Sequence, residues 1–131
     1  MDSKFEQVKQ YLLDMDVRII EENPAEELVV VEDEDRGIKN LVIDCEAPIL
    51  ILEQFIMEVP AAPDDLFKKL LQWNRQLVHG AFVMDESGKY IFFRDTLQLE
   101  HLDFNELEAS IEALSLAMAE FGPQLLNFMK K

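Results

Sequence analysis

LFKKLLQWNRQLVHGAFVMDESGKYIFFRDTLQL, residues 66–99, is the stretch that decides the fold, because it predicts one amphipathic helix followed by a tight hairpin. Apolar residues recur at spacings of three and four from Leu66 to Val78, which is the period of a helix that buries one face. Pro63 precedes this helix with two aspartates, and Gly80 follows it as the expected C-terminal cap. The apolar arc is wider than one packing partner needs, so we expect two surfaces to cover it.

The second half of the stretch predicts a β-hairpin over residues 81–95. Its turn has the sequence DESG, and Gly88 supplies the left-handed conformation that such turns require. The second strand has bulky side chains on both faces: Tyr90, Phe92 and Arg94 on one, and Ile91, Phe93 and Asp95 on the other. We therefore expect neither face of this hairpin to be fully exposed to water.

The sequence before this stretch predicts a helix and four strands. Ser3 and Glu6 form a capping box, which marks the start of a first helix of about a dozen residues. The strands are predicted at residues 18–21, 28–31, 41–43 and 49–59. The last of them, ILILEQFIMEV, is apolar on both faces over most of its length, so a helix, a second subunit or a bound peptide is expected over its second face.

The sequence after the hairpin predicts one long helix. Asp103 and Glu106 repeat the capping-box pattern. An apolar stripe follows without a slip in spacing, formed by Phe104, Leu107, Ile111, Leu114, Met118, Phe121, Leu125 and Phe128. Gly122 and Pro123 interrupt this stripe, so we expect a kink or a break there.

Composition limits the classes of function. The 131 residues, 49% of them hydrophobic, predict a single domain over residues 1–131. The formal net charge is -15, of which residues 1–60 carry -11, and this excludes binding to nucleic-acid phosphates or acidic membranes. One cysteine rules out an internal disulfide, and no apolar run is long enough to span a bilayer. We expect a cytoplasmic protein.

No catalytic constellation, metal site or cofactor site is predicted. The acidic loop at residues 33–35 lacks the ligand spacing of a calcium loop, and neither His79 nor His101 has a metal-ligating neighbour on a shared helical face. His79 is expected to interact with the end of its helix. Cys45 has no neighbouring cation to lower its pKa, so a buried structural thiol is expected. Asn74 lies on the apolar side of the central helix and is expected to bond to backbone at the start of the following strand.

The chain resembles the YbjN and Tir-chaperone-like family, which has the type III secretion chaperone-like fold. The residues that carry the likeness are Leu70, Leu71, Trp73 and Asn74, then Gly80-Ala81-Phe82, Asp85, Ser87 and Gly88, and Leu97 and Leu99 before Leu102-Asp103. The resemblance implies a small, acidic, cytoplasmic homodimer that binds other proteins and is not an enzyme.

We therefore predict an α+β fold, a twisted antiparallel sheet with N-terminal, central and long C-terminal helices. The predicted function is non-catalytic protein binding, chaperone-like or adaptor-like, with a protein client or regulatory partner. A stress-linked signalling regulator, or a small-ligand or enzyme site at the dimer interface, are the alternatives. The predicted dimer or partner interface consists of Phe67, Leu70, Trp73, Leu77, Phe82 and Phe92.

Overall fold

The computed structural model describes residues 3–130, which form a six-stranded antiparallel sheet and three α-helices. The predicted α+β class with N-terminal, central and long C-terminal helices is confirmed. In chain order the elements are α1 (Lys4–Asp14), β1 (Arg18–Asn23), β2 (Leu28–Asp33), a 3-10 helix (Glu34–Arg36), β3 (Ile38–Glu46), β4 (Ile49–Glu58), α2 (Leu66–Asn74), β5 (Ala81–Met84), β6 (Tyr90–Gln98) and α3 (Phe104–Met129).

The strands lie in the order β1-β2-β3-β4-β6-β5, so each strand pairs antiparallel with its neighbours. The chain runs as a meander through β4 and then crosses through α2 before it returns with β6 beside β4. The β4 and β6 strands pair over their whole length, from Ile49 opposite Gln98 to Glu58 opposite Tyr90. The short strand β5 is therefore left at one edge of the sheet, and β1 at the other.

The three helices meet one face of the sheet, and alternation along each strand decides which side chains lie there. Buried residues at alternate positions of the central strands, such as Ile43, Leu50, Leu52 and Phe93, point into a single apolar core. The buried stripe of α3 completes this core with Leu107, Ile111, Leu114, Ala117, Phe121, Leu125 and Phe128. Among residues 3–130, no helix covers the other face of the sheet.

Both predicted N-cap residues make the expected hydrogen bond. The Ser3 side chain accepts a hydrogen bond from the Glu6 backbone N–H at 3.1 Å, and Asp103 accepts one from Glu106 at 2.8 Å. These bonds satisfy N–H groups that have no partner within the first turn of a helix. The starts of α1 and α3 could thus be predicted from Ser3, Glu6, Asp103 and Glu106.

The central helix is shorter than the sequence predicts. It ends at Asn74, and Arg75, Gln76 and Leu77 continue only as turns. The prediction that Gly80 caps α2 is wrong. Gly80 lies next to β5 with a φ of +76°, where a Cβ would come within 2.5 Å of the Phe93 ring. Because α2 ends at Asn74, His79 does not lie in the last turn of a helix, where the sequence predicted it.

Pro123 does not break α3, which continues from Phe104 to Met129. Of the two expected outcomes, the break is therefore wrong, and the kink stays a prediction. The proline ring has no N–H to donate to the carbonyl of Ala119, four residues earlier. The apolar stripe keeps its register through this point, since Phe121, Leu125 and Phe128 are all buried. Packing of the stripe against the sheet thus holds one helix together across the lost hydrogen bond.

Candidate functional site

The described residues offer surfaces for binding, and no metal-binding cluster is found among them. Among residues 3–130, no three His, Cys, Asp or Glu side chains lie close enough to hold a metal ion. Burial raises the pKa of the Cys45 thiol to about 11, and the nearby carboxylates of Glu27 and Asp44 add to this shift. Such a thiol is a poor nucleophile. None of the helices within these residues is long and apolar enough to cross a bilayer.

The uncovered side of the sheet, which we call the open face, has an aromatic cluster at its centre. Phe55 of β4 lies opposite Phe92 of β6, with ring centroids 5.8 Å apart, and Tyr90 lies 6.1 Å from Phe55. Phe55 is 51% exposed. Val42 and Ile51 continue this apolar surface toward β3. The predicted strand with two apolar faces is therefore real, and within the described chain nothing covers the second face.

Charged residues border the aromatic cluster on the open face. Arg94 donates to a Glu53 carboxylate oxygen at 2.7 Å across β6 and β4. Asp44, on β3, has one buried carboxylate oxygen, Oδ1, with no hydrogen-bond partner among the described residues. Desolvation, followed by repulsion from Glu46 and Glu26, raises the pKa of Asp44. This end of the face has an excess of negative charge.

A second apolar surface lies on α2. Phe67 and Leu71 are one helical turn apart, so they share a side of the helix, and they are 39% and 72% exposed. We call these two residues the α2 patch. Val78, on the loop after the helix, is 89% exposed. Large apolar side chains at such exposure are typical of a surface that contacts another molecule when they are clustered.

The six predicted interface residues are distributed between core and surface. Leu70, Trp73 and Phe82 are buried in the chain's own core, where the Trp73 ring stacks on Phe121 with centroids 4.7 Å apart. Leu77 is partly buried. Phe67 and Phe92 keep exposed area, the first in the α2 patch and the second on the open face. A partner can thus reach two of the six directly, while the interface itself remains a prediction.

Asn74 makes the backbone contact that the sequence predicts. Its Nδ2 donates to the Phe82 carbonyl at 3.1 Å, and its Oδ1 accepts from the Phe82 N–H at 2.8 Å. Because β5 is an edge strand, these are groups that a seventh strand would otherwise bind. The amide therefore closes this edge of the sheet at Phe82.

A groove that the sequence analysis missed lies between the beginning of β3, the second half of β4 and the last turns of α3. Its volume is about 490 Å³. The large apolar side chains of the lining are Phe55, Ile56, Met118, Leu125, Leu126 and Met129, and Gly37, Lys39, Gln54, Ala119, Gly122 and Pro123 complete it. We call it the β4–α3 groove. Leu126 and Met129 lie outside the buried stripe of α3, and this was the available signal in the sequence.

The order of strands and helices and the surfaces they leave exposed define the type III secretion chaperone-like fold. The profile of the CesT_Tir_1 family matches residues 1–131, and the chain belongs to this family. The resemblance to the YbjN and Tir-chaperone-like family stated above is thus confirmed. No curated protein sequence matches the chain.

Solved structures show the same fold at low sequence identity. The chain is similar to YbjN from E. coli, a proposed transcription regulator, with a TM-score of 0.69, 14% identity and 92% of each chain covered. It is similar to a chain of the HopA1-SchA chaperone-effector complex, with a TM-score of 0.64, 11% identity, and 88% of this chain and 91% of that one covered. A chain of the heterodimeric ExoU-SpcU complex, from the type III secretion system of Pseudomonas aeruginosa, gives a TM-score of 0.60, 16% identity and coverage of 92% and 96%.

Proposed function

We propose that the chain is a single-domain, non-catalytic protein-binding module of the cytoplasm, chaperone-like or adaptor-like, that acts as a homodimer. The observation that carries this proposal is the aromatic cluster of Phe55, Tyr90 and Phe92 on the open face of a rigid sheet. Apolar surface of this kind lowers solubility unless a partner covers it, so its presence on a strongly acidic protein favours a binding role.

The comparisons support a protein as the partner. One structural neighbour forms a chaperone-effector complex, and another forms a heterodimeric complex within a type III secretion system. Both share the sheet and helices of this chain, so the same surfaces are available here for a client.

The α2 patch is the surface we assign to the homodimer. Phe67 and Leu71 face outward on the same side of a helix whose other side is fixed in the core by Leu70 and Trp73. A helix held this way presents its exposed side without further ordering, which lowers the entropic cost of association. We propose that two copies of α2 pack through this patch.

The client test is affinity capture from lysate of the protein's own source, with the retained proteins identified by mass spectrometry. Phe55→Glu and Phe92→Glu place charge in the aromatic cluster, and Ile20→Glu on β1 is the control at an exposed apolar residue outside it. We expect a dominant client that both cluster variants lose and the control retains. Retention of the same proteins by all variants would contradict the open face as the binding surface.

The dimer test is sedimentation equilibrium of the purified chain at micromolar concentrations. A double variant, Phe67→Glu with Leu71→Glu, is expected to be monomeric, whereas Leu13→Glu on the exposed side of α1 should behave as the wild type. A wild-type monomer at about 100 μM would refute the homodimer.

A regulator that acts through protein contacts is the second candidate. It is favoured by the similarity to YbjN, a proposed transcription regulator. The net charge of -15 opposes direct contact with DNA phosphates, so such a regulator would bind another regulatory protein. A captured partner that is itself a transcription or signalling protein would favour this candidate over a chaperone. A small molecule that co-purifies in stoichiometric amount would instead favour the ligand or enzyme alternative.

A further inference from the structure

Strand pairing leaves part of β4 with a neighbour on one side only. The β3 and β4 strands pair from Val42 opposite Glu53 to Glu46 opposite Ile49, and the register ends there. The part of β3 before Val42 is paired only with β2, and residues 54–58 of β4 are paired only with β6. The two central strands therefore diverge, and the β4–α3 groove lies in the opening between them.

Gln54 fixes the narrow end of this opening. Its Nε2 donates to the Gly37 carbonyl at 3.1 Å, and its Oε1 accepts from the Lys39 N–H at 3.0 Å. The side chain is 4% exposed, so both bonds are made away from water. The Gln54 side chain thus takes the place of the first missing backbone hydrogen bonds between β3 and β4. The opening continues from there along Phe55 and Ile56.

The floor of the opening is apolar and accessible. Leu126 is 53% exposed and Met129 is 43% exposed, and both line the groove next to the buried Leu125. A volume of about 490 Å³ is enough for two or three apolar side chains. An extended segment placed beside residues 54–58 would set alternate side chains into this space.

Negative charge lies at one end of the groove. A smaller depression of about 280 Å³ shares Gly37, Met118 and Ala119 with it and contains Glu34 and Asp35. Arg36 lines the same depression, but its guanidinium donates to Asp33 and Glu112, and Lys39 lines the β4–α3 groove itself.

We propose that the β4–α3 groove binds an extended segment of the client protein in which alternating apolar side chains adjoin a lysine or arginine. The apolar side chains lie over α3 and the cation reaches Glu34 and Asp35. This rests on the proposed function and gives the client segment its chemistry, since an acidic segment would be repelled at the same place.

The test uses fluorescence anisotropy with labelled twelve-residue synthetic peptides. The first has leucines at alternate positions and two lysines at one end, and both orders are synthesised. The second replaces the lysines with glutamates, and the third replaces the leucines with serines. We expect the first peptide to bind at least about tenfold more tightly than either of the others.

Matched variants of the full chain locate the binding. Leu126→Glu and Met129→Lys should each weaken the first peptide by about tenfold, whereas Leu13→Glu, at a leucine of similar exposure on α1, should change its Kd by less than about twofold. Glu34→Lys should reduce the preference for lysine over glutamate peptides, and Glu86→Lys in the hairpin turn should not. Thermal unfolding of each variant verifies folding.

Several outcomes would overturn the assignment. Equal binding of the lysine and glutamate peptides, equal weakening by the control variants, or no binding of any peptide would refute it. If Leu126→Glu converts a dimer to monomers, the groove binds a second copy and the proposal fails. If Leu126→Glu and Met129→Lys still capture the client that Phe92→Glu loses, the groove assignment fails while the proposed function stands.

Discussion

Replacement of Asn74 by alanine gives the sharpest test of how the edge of the sheet is held. The substitution removes two hydrogen bonds to the Phe82 backbone, at 2.8 and 3.1 Å, in a partly buried position. Each such bond contributes about 1 kcal/mol net. Alanine recovers about 0.5 kcal/mol through its higher helix propensity, because Asn74 is the last residue of α2. The expected loss in the free energy of unfolding is therefore about 1.5 kcal/mol.

The loss is measurable by urea unfolding followed through far-UV circular dichroism. For a domain of this length a loss of 1.5 kcal/mol also lowers Tm by about 6 °C. Asn127→Ala is the matched control, since Asn127 is an exposed amide within α3. The reasoning would be refuted if Asn74→Ala cost no more than Asn127→Ala.

A second substitution at the same residue separates the two bonds. Asn74→Asp keeps an acceptor for the Phe82 N–H but turns the other oxygen, now charged, toward the Phe82 carbonyl. That repulsion raises the pKa of the introduced carboxyl in the folded state, so its protonation favours folding. The variant should be less stable than Asn74→Ala at pH 7 and should gain stability as the pH falls toward 5. A stability difference between the two variants that does not change with pH would contradict this geometry.

Three further predictions follow from single residues. Asp44→Asn should raise the free energy of unfolding at pH 7 and leave it unchanged below pH 4, since a raised folded pKa makes the native carboxylate unfavourable only when it is ionised; a loss of stability at pH 7 in urea titrations would argue against this. Cys45, with a pKa of about 11, should react with iodoacetamide at pH 8 about 100-fold more slowly than in unfolded protein, and a ratio near one would be inconsistent with burial. Ser110→Ala should lower the free energy of unfolding in urea by about 1 to 2 kcal/mol, because the buried hydroxyl donates to Asp95 at 2.6 Å. The control Ser115→Ala should lower it little, and equal losses in the two variants would count against the hydrogen bond.

The starts of α1 and α3 were predictable because short-range chemistry decides them. A capping side chain needs a backbone N–H three residues later, and both Ser3 and Asp103 have one in the sequence itself. The end of α2 was not predictable in the same way. A periodic apolar pattern continues to Val78, but Asn74 bonds to β5, and this tertiary contact stops the helix four residues earlier than the pattern does.

The candidate binding residues also divide into those that a local sequence pattern could place and those that only tertiary packing could place. Phe92 could be placed on one strand face by alternation, and the structure leaves it on the open face. Trp73 and Phe82 could not be separated from surface aromatics by sequence, because the partner that buries them, Phe121, lies in a helix about 40 residues away. Burial of one aromatic by another across such a distance depends on the packing of α3, which no local pattern reports.

Two side-chain amides control backbone pairing at two places in this sheet. At β5, Asn74 satisfies both outward backbone groups of Phe82, so the short edge strand is closed to addition there. At the divergence of β3 and β4, Gln54 bonds to Gly37 and Lys39 and holds the strands apart, so the opening beyond it persists. Hydrogen bonds from a side-chain amide thus close the sheet edge at Phe82 and keep β3 and β4 separated beyond Gln54. Replacing Gln54 with leucine would therefore be expected to alter the groove more than the fold. Peptide binding should fall in that variant by a larger factor than in Asn74→Ala, although both lose two backbone hydrogen bonds.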